Sequence, residues 1–196
     1  MRELQQPESM SFDPIAFDTG PIVETVRLRL RRHRLSDLEA RLPITADPDF
    51  MRFVGGVYDR QENWARLLRY IGHWEALGYG LFAVEEKASG RYVGDVGLAR
   101  FERELGEDFD AAPEGAWMIA RWASGMGYAT EGMQAAIEWH ARTFGAARTV
   151  CIVDTANEAS LRVAAKMGFR PYREGMNRGH PVLLHERIPP LPLRAD

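Results

Sequence analysis

The stretch Glu114-Gly-Ala-Trp-Met-Ile-Ala-Arg-Trp-Ala-Ser-Gly-Met-Gly-Tyr-Ala-Thr-Glu-Gly132 reads as a strand, a glycine-punctuated turn and the start of a helix. Gly125 and Gly127 allow the backbone to approach a ligand closely. The first turn of the helix that follows offers unsatisfied N–H groups and the positive end of the helix dipole. Together these make a cradle suited to an anion such as phosphate. Two glycines before a helix also occur as a plain tight connection, so the reading depends on the rest of the chain.

The chain has 196 residues, of which 45% are hydrophobic, the size and composition of one domain with a substantial core. A formal charge of -3 lacks the basic surplus that nucleic acid binding requires, so no nucleic acid partner is expected. The single Cys151 lies in an apolar run. It excludes an intrachain disulfide scaffold and reads as a buried structural thiol. No run approaches the roughly 20 apolar residues of a membrane helix, and the acidic N-terminus lacks the pattern of a secretory leader. A cytoplasmic protein without a membrane partner is the expectation.

Outward from the central stretch, Ala129, Met133, Ala136, Ile137, His140 and Phe144 recur at helical spacing, with His140 read as a packed core histidine. Thr149 to Val153 has the β-branched run of a strand buried on both faces, expected parallel to the strand from Glu114. A helix follows from about Asn157 to Met167, stopped by Gly168. The last strands are expected at Phe169 to Arg173 and Val182 to Ile188.

Upstream, residues 1–22 carry Pro7, Pro14 and Pro21 and read as an extended arm, in which Phe12, Ile15 and Phe17 are candidates for docking. Val26, Leu28 and Leu30 alternate with Arg27, Arg29 and Arg31, as in a half-buried first strand. Ser36 reads as a helix start, and Trp64, Leu67, Leu68, Ile71 and Trp74 set a core-facing helix from about Gln61 to Leu77. Pro43 to Asp59 reads as a substrate-facing loop. Leu81 to Glu86 and Tyr92 to Phe101 read as a hairpin, and residues 103–113 as a connection. The order β-α-α-β-β-β-α-β-α-β-β gives one domain over residues 23–188, with residues 189–196 as a tail.

Ser124-Gly-Met-Gly-Tyr-Ala-Thr-Glu-Gly132, Asn157-Glu-Ala-Ser160 and Lys166-Met-Gly-Phe169, in this order and spacing, resemble the acetyl-CoA motifs of the GNAT N-acetyltransferases, with the RimJ/RimL-like branch most similar. The resemblance extends over Thr25 to Arg31 and over the hairpin from Gly78-Tyr-Gly80 through Gly94 to Leu98, about residues 24 to 188. It implies a mixed α/β fold: a mostly antiparallel sheet of about seven strands, a parallel pair formed by the fourth and fifth, and helices on both faces. It also implies acetyl-CoA as cosubstrate, no metal, and transfer of the acetyl group to a primary amine of a small molecule or a protein N-terminus. A homodimer through strand or helix faces is compatible with these patterns.

By the same resemblance, Ser124, Gly125, Met126, Gly127, Tyr128 and Ala129 would hold the pyrophosphate. Backbone groups near Trp117, Met118 and Ile119 would meet the pantetheine arm, and Asn157 would contact the cofactor, although asparagine is equally a helix cap. The frequent tyrosine acid of the family falls at Ala164, so Ser160 becomes the candidate that protonates or hydrogen-bonds the leaving thiolate. Glu114 and His180 are alternative general bases, the second placed in the loop before the final strand. Trp122 stands where the family has a basic or amide residue, and Arg121 beside it could supply charge instead.

Two other readings exist. Gly125-Met-Gly127 opens a helix in a βαβ unit, as in dinucleotide-binding proteins, but the third glycine position is Thr130 and further βα units are missing. A non-catalytic acyl-CoA-binding sensor or interaction module of the same fold would share the cradle without turnover.

Overall fold

The hairpin strands are buried on both faces, Leu81 to Val84 as a continuous apolar run and Val93 to Ala99 throughout, so helices have to cover both sides of the sheet. The computed structural model describes residues 23–189; the arm at residues 1–22 and the tail beyond Pro189 lie outside them. The strands are β1 (Val23–Glu24), β2 (Leu28–Arg31), β3 (Leu81–Glu86), β4 (Tyr92–Ala99), β5 (Glu114–Ile119), β6 (Thr149–Asp154), β7 (Arg170–Asn177) and β8 (His180–Arg187). They form one sheet in the order β1-β2-β3-β4-β5-β6-β8-β7, antiparallel throughout except for β5 and β6. The helices are α1 (Asp37–Thr45), α2 (Pro48–Met51), α3 (Arg60–Leu77), α4 (Glu107–Asp110), α5 (Tyr128–Phe144) and α6 (Glu158–Lys166).

On β4, Val93, Val96 and Leu98 join a cluster with Met133, Ala136 and Ile137 of α5. Asp95, between them in sequence, points to the opposite face and meets Arg41 of α1. Tyr70 of α3 packs there with Leu81 and Ala99. Burying the larger cluster, with Phe82, Trp74 and Phe169 among its members, supplies most of the hydrophobic stabilisation, at about 25 cal/mol per Å² of apolar surface.

The mixed fold with helices on both faces is as the sequence implied, with eight strands rather than about seven. The added strand arises where the expected first strand fails: Val26 is 93% exposed and lies in a turn between β1 and β2. Thr25 drives that turn, its backbone N–H donating to Leu28 O at 2.9 Å while its hydroxyl accepts from Leu28 N at 2.8 Å. Arg31, read as facing solvent, is buried because Asp37 takes its guanidinium at 2.7 and 2.8 Å.

α3 begins one residue earlier than expected because Asp59 and Glu62 form a reciprocal capping box. It ends at Gly78, whose φ of 74° is left-handed. Leu67 and Trp74 are buried as expected, whereas Trp64 and Leu68 are exposed. Tyr70 takes the inward position instead. Pro43 to Asp59 is not one loop: α1 runs through Pro43, and Asp47 caps α2, leaving Arg52 to Tyr58 as the irregular part. The connection at residues 103–113 likewise contains α4. Cys151 and His140 are buried as read, with Tyr79 and Phe144 against the imidazole at 4.9 and 5.0 Å.

Candidate active site

β5 and β6 share a single ladder position, Glu114 with Val150. Each is paired along its other edge over six positions, β5 with β4 and β6 with β8. Past Glu114 the two parallel strands therefore diverge, and their facing backbone edges are open to a ligand that can supply the missing hydrogen bonds. A cleft of about 500 Å³ occupies this region, lined by Glu114 to Met118 of β5, Ile152 to Asp154 of β6, and Asn157 and Ser160 of α6. Ile119 does not line it; its side chain is buried in the core cluster beside α5.

At the far end of β5 the chain makes a short 3₁₀ turn, Arg121–Ala123, and enters α5 through Gly125 and Gly127, with φ of 79° and 82°. These left-handed angles are cheap only for glycine. Among the described residues no hydrogen bond uses the amides of Gly125, Met126, Gly127, Tyr128 or Ala129, leaving consecutive donors at the positive end of α5, a fit to a diphosphate.

The outer wall of this turn is fixed by a residue that the sequence placed only on a strand face. Arg27 Nη1 donates to Met126 O at 2.8 Å, and its guanidinium lies 4.5 Å from the Tyr128 ring centre. Glu131 locks that arginine at 2.6 and 2.7 Å and also accepts from Thr25. A separation of 104 residues gives no local signal for the pair. Arg121, expected to lend charge to the cradle, turns away and pairs with Asp47 at 2.9 Å because the α2 cap carries the nearer carboxylate. Trp122 is covered by Arg91 at 3.8 Å.

Asn157 caps α6, its Oδ1 accepting from Ser160 N at 3.1 Å. The same turn presents the Ser160 hydroxyl to the cleft, where it accepts from the Trp117 indole N–H at 3.3 Å. With one lone pair engaged in this way, its own O–H is free to donate toward a ligand atom.

Glu114, one of the two candidate bases, is 3% exposed, and Arg103 Nε donates to its two oxygens at 2.8 and 2.7 Å. Burial raises its pKa above 4.5, the opposing pull of Arg103 notwithstanding. His180 is not in a loop: it is the first residue of β8, paired with Asn177, because the hairpin turn needs only Arg178 and Gly179. Its side chain is exposed at the rim of the same cleft. Glu114, Ser160 and His180 thus share one cavity, while Ser124 to Ala129 form a separate turn beyond the end of β5.

The family model of the acetyltransferase (GNAT) domain matches residues 27–170, which contain both the cradle and the diverging strands. The chain belongs to the GNAT acetyltransferase family. This acetyltransferase superimposes on a protein described as a GNAT-family acetyltransferase from Bordetella pertussis with a TM-score of 0.78, at 31% identity, covering 85% of this chain and 99% of that one. It is 28% identical over 165 residues to the uncharacterized N-acetyltransferase YoaA of Bacillus subtilis (strain 168), covering 81% of this chain and 86% of the relative. The fold is also that of RimL, a ribosomal L7/L12 α-N-protein acetyltransferase solved with coenzyme A, at a TM-score of 0.71 and 18% identity, over 86% of this chain and 98% of RimL. Membership of the family implies acetyl-CoA-dependent acetyl transfer. Among the described residues, no group of three or more His, Cys, Asp or Glu is placed to hold a metal ion, and no helix is long and apolar enough to cross a membrane.

Proposed function

We propose that the acetyltransferase moves the acetyl group of acetyl-CoA directly to the primary amine of a small molecule or a protein N-terminus. The observation that carries this reading is the cleft at the β5–β6 divergence, which brings a buried carboxylate and a free serine hydroxyl to one space. The unpaired amides of Gly125 to Ala129 suit the pyrophosphate, and the open edges of β5 at Trp117 and Met118 suit the amide groups of the pantetheine arm. Asn157 serves first as the cap that orients Ser160.

In the transfer the amine lone pair forms a C–N bond at the thioester carbon and the C–S bond breaks. Glu114 accepts the proton that the amine loses, directly or through water. The burial that raises its pKa brings its basicity closer to neutral pH, where a general base is most effective. Ser160 donates a hydrogen bond to the departing thiolate, which then takes its proton from solvent. His180 is the alternative base, and its exposure at the rim gives it less control over a single proton path than Glu114.

Ser160→Ala is expected to lower kcat roughly tenfold, the worth of one charge-assisted hydrogen bond, with acetyl-CoA affinity by calorimetry little changed. Steady-state thiol release checks it; an unaltered kcat removes Ser160 from the transfer step. Failure of the unmodified protein to bind acetyl-CoA would sink the whole reading.

A further inference from the structure

We infer that the acceptor is a small molecule that carries a carboxylate or phosphate as well as its amine, and that Arg66, Arg69 and Arg178 receive that anion. The inference rests on the acetyltransferase reading and specifies its acceptor.

All three arginines line the active-site cleft. Arg66 and Arg69 come from α3, on the sheet face opposite α5 and its cradle, and Arg178 from the β7–β8 turn. Among the described residues, no side chain of the three takes part in an ion pair or a hydrogen bond. Their near contacts are aromatic: Arg66 lies 3.7 Å from the Tyr58 ring centre, and Arg69 lies 5.7 and 5.6 Å from those of Tyr70 and Phe101. All three line one cleft together with Tyr58, which feels each of their charges, and Arg66 feels the other two as like charges. Half-buried Arg66 is held below its ordinary pKa by desolvation and, further, by the repulsion of Arg69 and Arg178. Rings soften this arrangement without neutralising it, whereas an anion would do so through forked hydrogen bonds.

Arg178 strengthens the case by its backbone. It occupies the first position of a two-residue hairpin turn with φ of 52°, followed by Gly179 at 83°. Turns of this kind favour asparagine or glycine there. An arginine is strained in that position, and the strain places a cation at the cleft.

The same cleft holds carboxylates. Glu102 is paired with Arg100 at 2.5 Å, Asp154 accepts from Ala156 N at 2.8 Å, and Glu104 is exposed. Arg69 lines the same cleft as Glu114 and acts on its charge, so the cationic group and the carboxylate assigned to the amine face one space. An amine toward Glu114 and an anion toward the arginines fit a single compact acceptor in the part of the cleft that the pantetheine arm leaves free.

The test compares matched acceptors by kcat/KM: α-amino acids against their carboxamides, and O-phosphoethanolamine against ethanolamine. The anionic member is expected to lead by roughly tenfold or more in at least one pair, and the leading pair tells carboxylate from phosphate. Arg66→Gln should cut that ratio about tenfold. Arg178→Gly should cut it too while raising the melting temperature, since glycine relieves the turn; a loss of fold therefore cannot account for the result. Equal use of neutral and anionic members, unchanged by either variant, overturns the inference and leaves the acetyltransferase reading standing. A peptide with an acidic N-terminal segment that outpaces every small amine also overturns it. If acetyl-CoA binds and no amine is acetylated, the transfer reading fails on its own. Calorimetry with inorganic phosphate and with succinate then judges the arginines: binding weakened by Arg66→Gln supports them, and no binding overturns them.

Discussion

Glu114→Gln is expected to lower kcat by about 100- to 10 000-fold at neutral pH while the protein stays folded, which is the range that a positioned general base supplies. Glutamine keeps the shape of the side chain and can still accept from Arg103 Nε, but it cannot take the proton of the amine. Stability should change little, because the substitution also removes a buried charge whose ionised form burial disfavours. The wild-type rate should fall on acidification through a pKa above the ordinary glutamate value of 4.5, and the variant should lack that limb. Rates measured from pH 5 to 9 by thiol release decide it. A kcat for Glu114→Gln within about threefold of wild type would transfer the role to His180 or to solvent.

The largest expected effect on stability belongs to Asp95. Its carboxylate, 1% exposed in the middle of β4, meets Arg41, the Tyr92 hydroxyl and His33, the last at 2.7 Å. Arg41 is itself fully buried. Asp95→Ala would leave that guanidinium uncompensated and is expected to cost about 3–5 kcal/mol in chemical denaturation. Arg41→Met combined with Asp95→Ala should recover part of the loss, since no lone charge remains. A shift under about 1 kcal/mol for the single variant would mean that water reaches Arg41.

The same group gives a pH signature of defined sign. Despite its burial, Arg41 first and then His33 lower the Asp95 pKa from 3.8 to about 2. Its contribution of roughly 2 kcal/mol is present above pH 4 and lost as the pH falls toward 2. Glu114 works in the opposite sense: with a folded pKa above 4.5, its contribution is present below that pH and lost as the pH rises through the folded value. Acid denaturation of Asp95→Ala should therefore be shallower between pH 4 and 2 than that of the wild type.

The elements with strong local patterns were legible. α5 follows its three-and-four spacing, the β3–β4 hairpin its polar turn, and Asn157 and Gly168 mark the ends of α6 where caps belong. The readings that failed were decided by partners distant in sequence or by short polar contacts. Arg31 is drawn inside by Asp37, and Thr25 turns the chain so that Val26 leaves the alternation. Trp64 lies on the helical stripe, yet the inner face of α3 rotates to Tyr70 because Tyr70 packs beneath Leu81 and Ala99.

For the site, the cradle and Ser160 were visible as spaced motifs, whereas the character of Glu114 was not. Its burial depends on Arg103 in a segment without periodicity. The arginine cluster was invisible for a related reason. Arg66 and Arg69 look like the solvent side of a helix, and Arg178 like a turn residue, until the β7–β8 hairpin brings them to one cleft.

Direct transfer is tested most sharply by mixing the purified protein with acetyl-CoA and a panel of primary amines and following free thiol together with the mass of the amine. It predicts thiol released in step with an amine that gains one acetyl group, with no acetyl left on the protein. Acetyl-CoA bound without turnover of any amine, or an acetylated protein residue that forms and decays during the reaction, would contradict it.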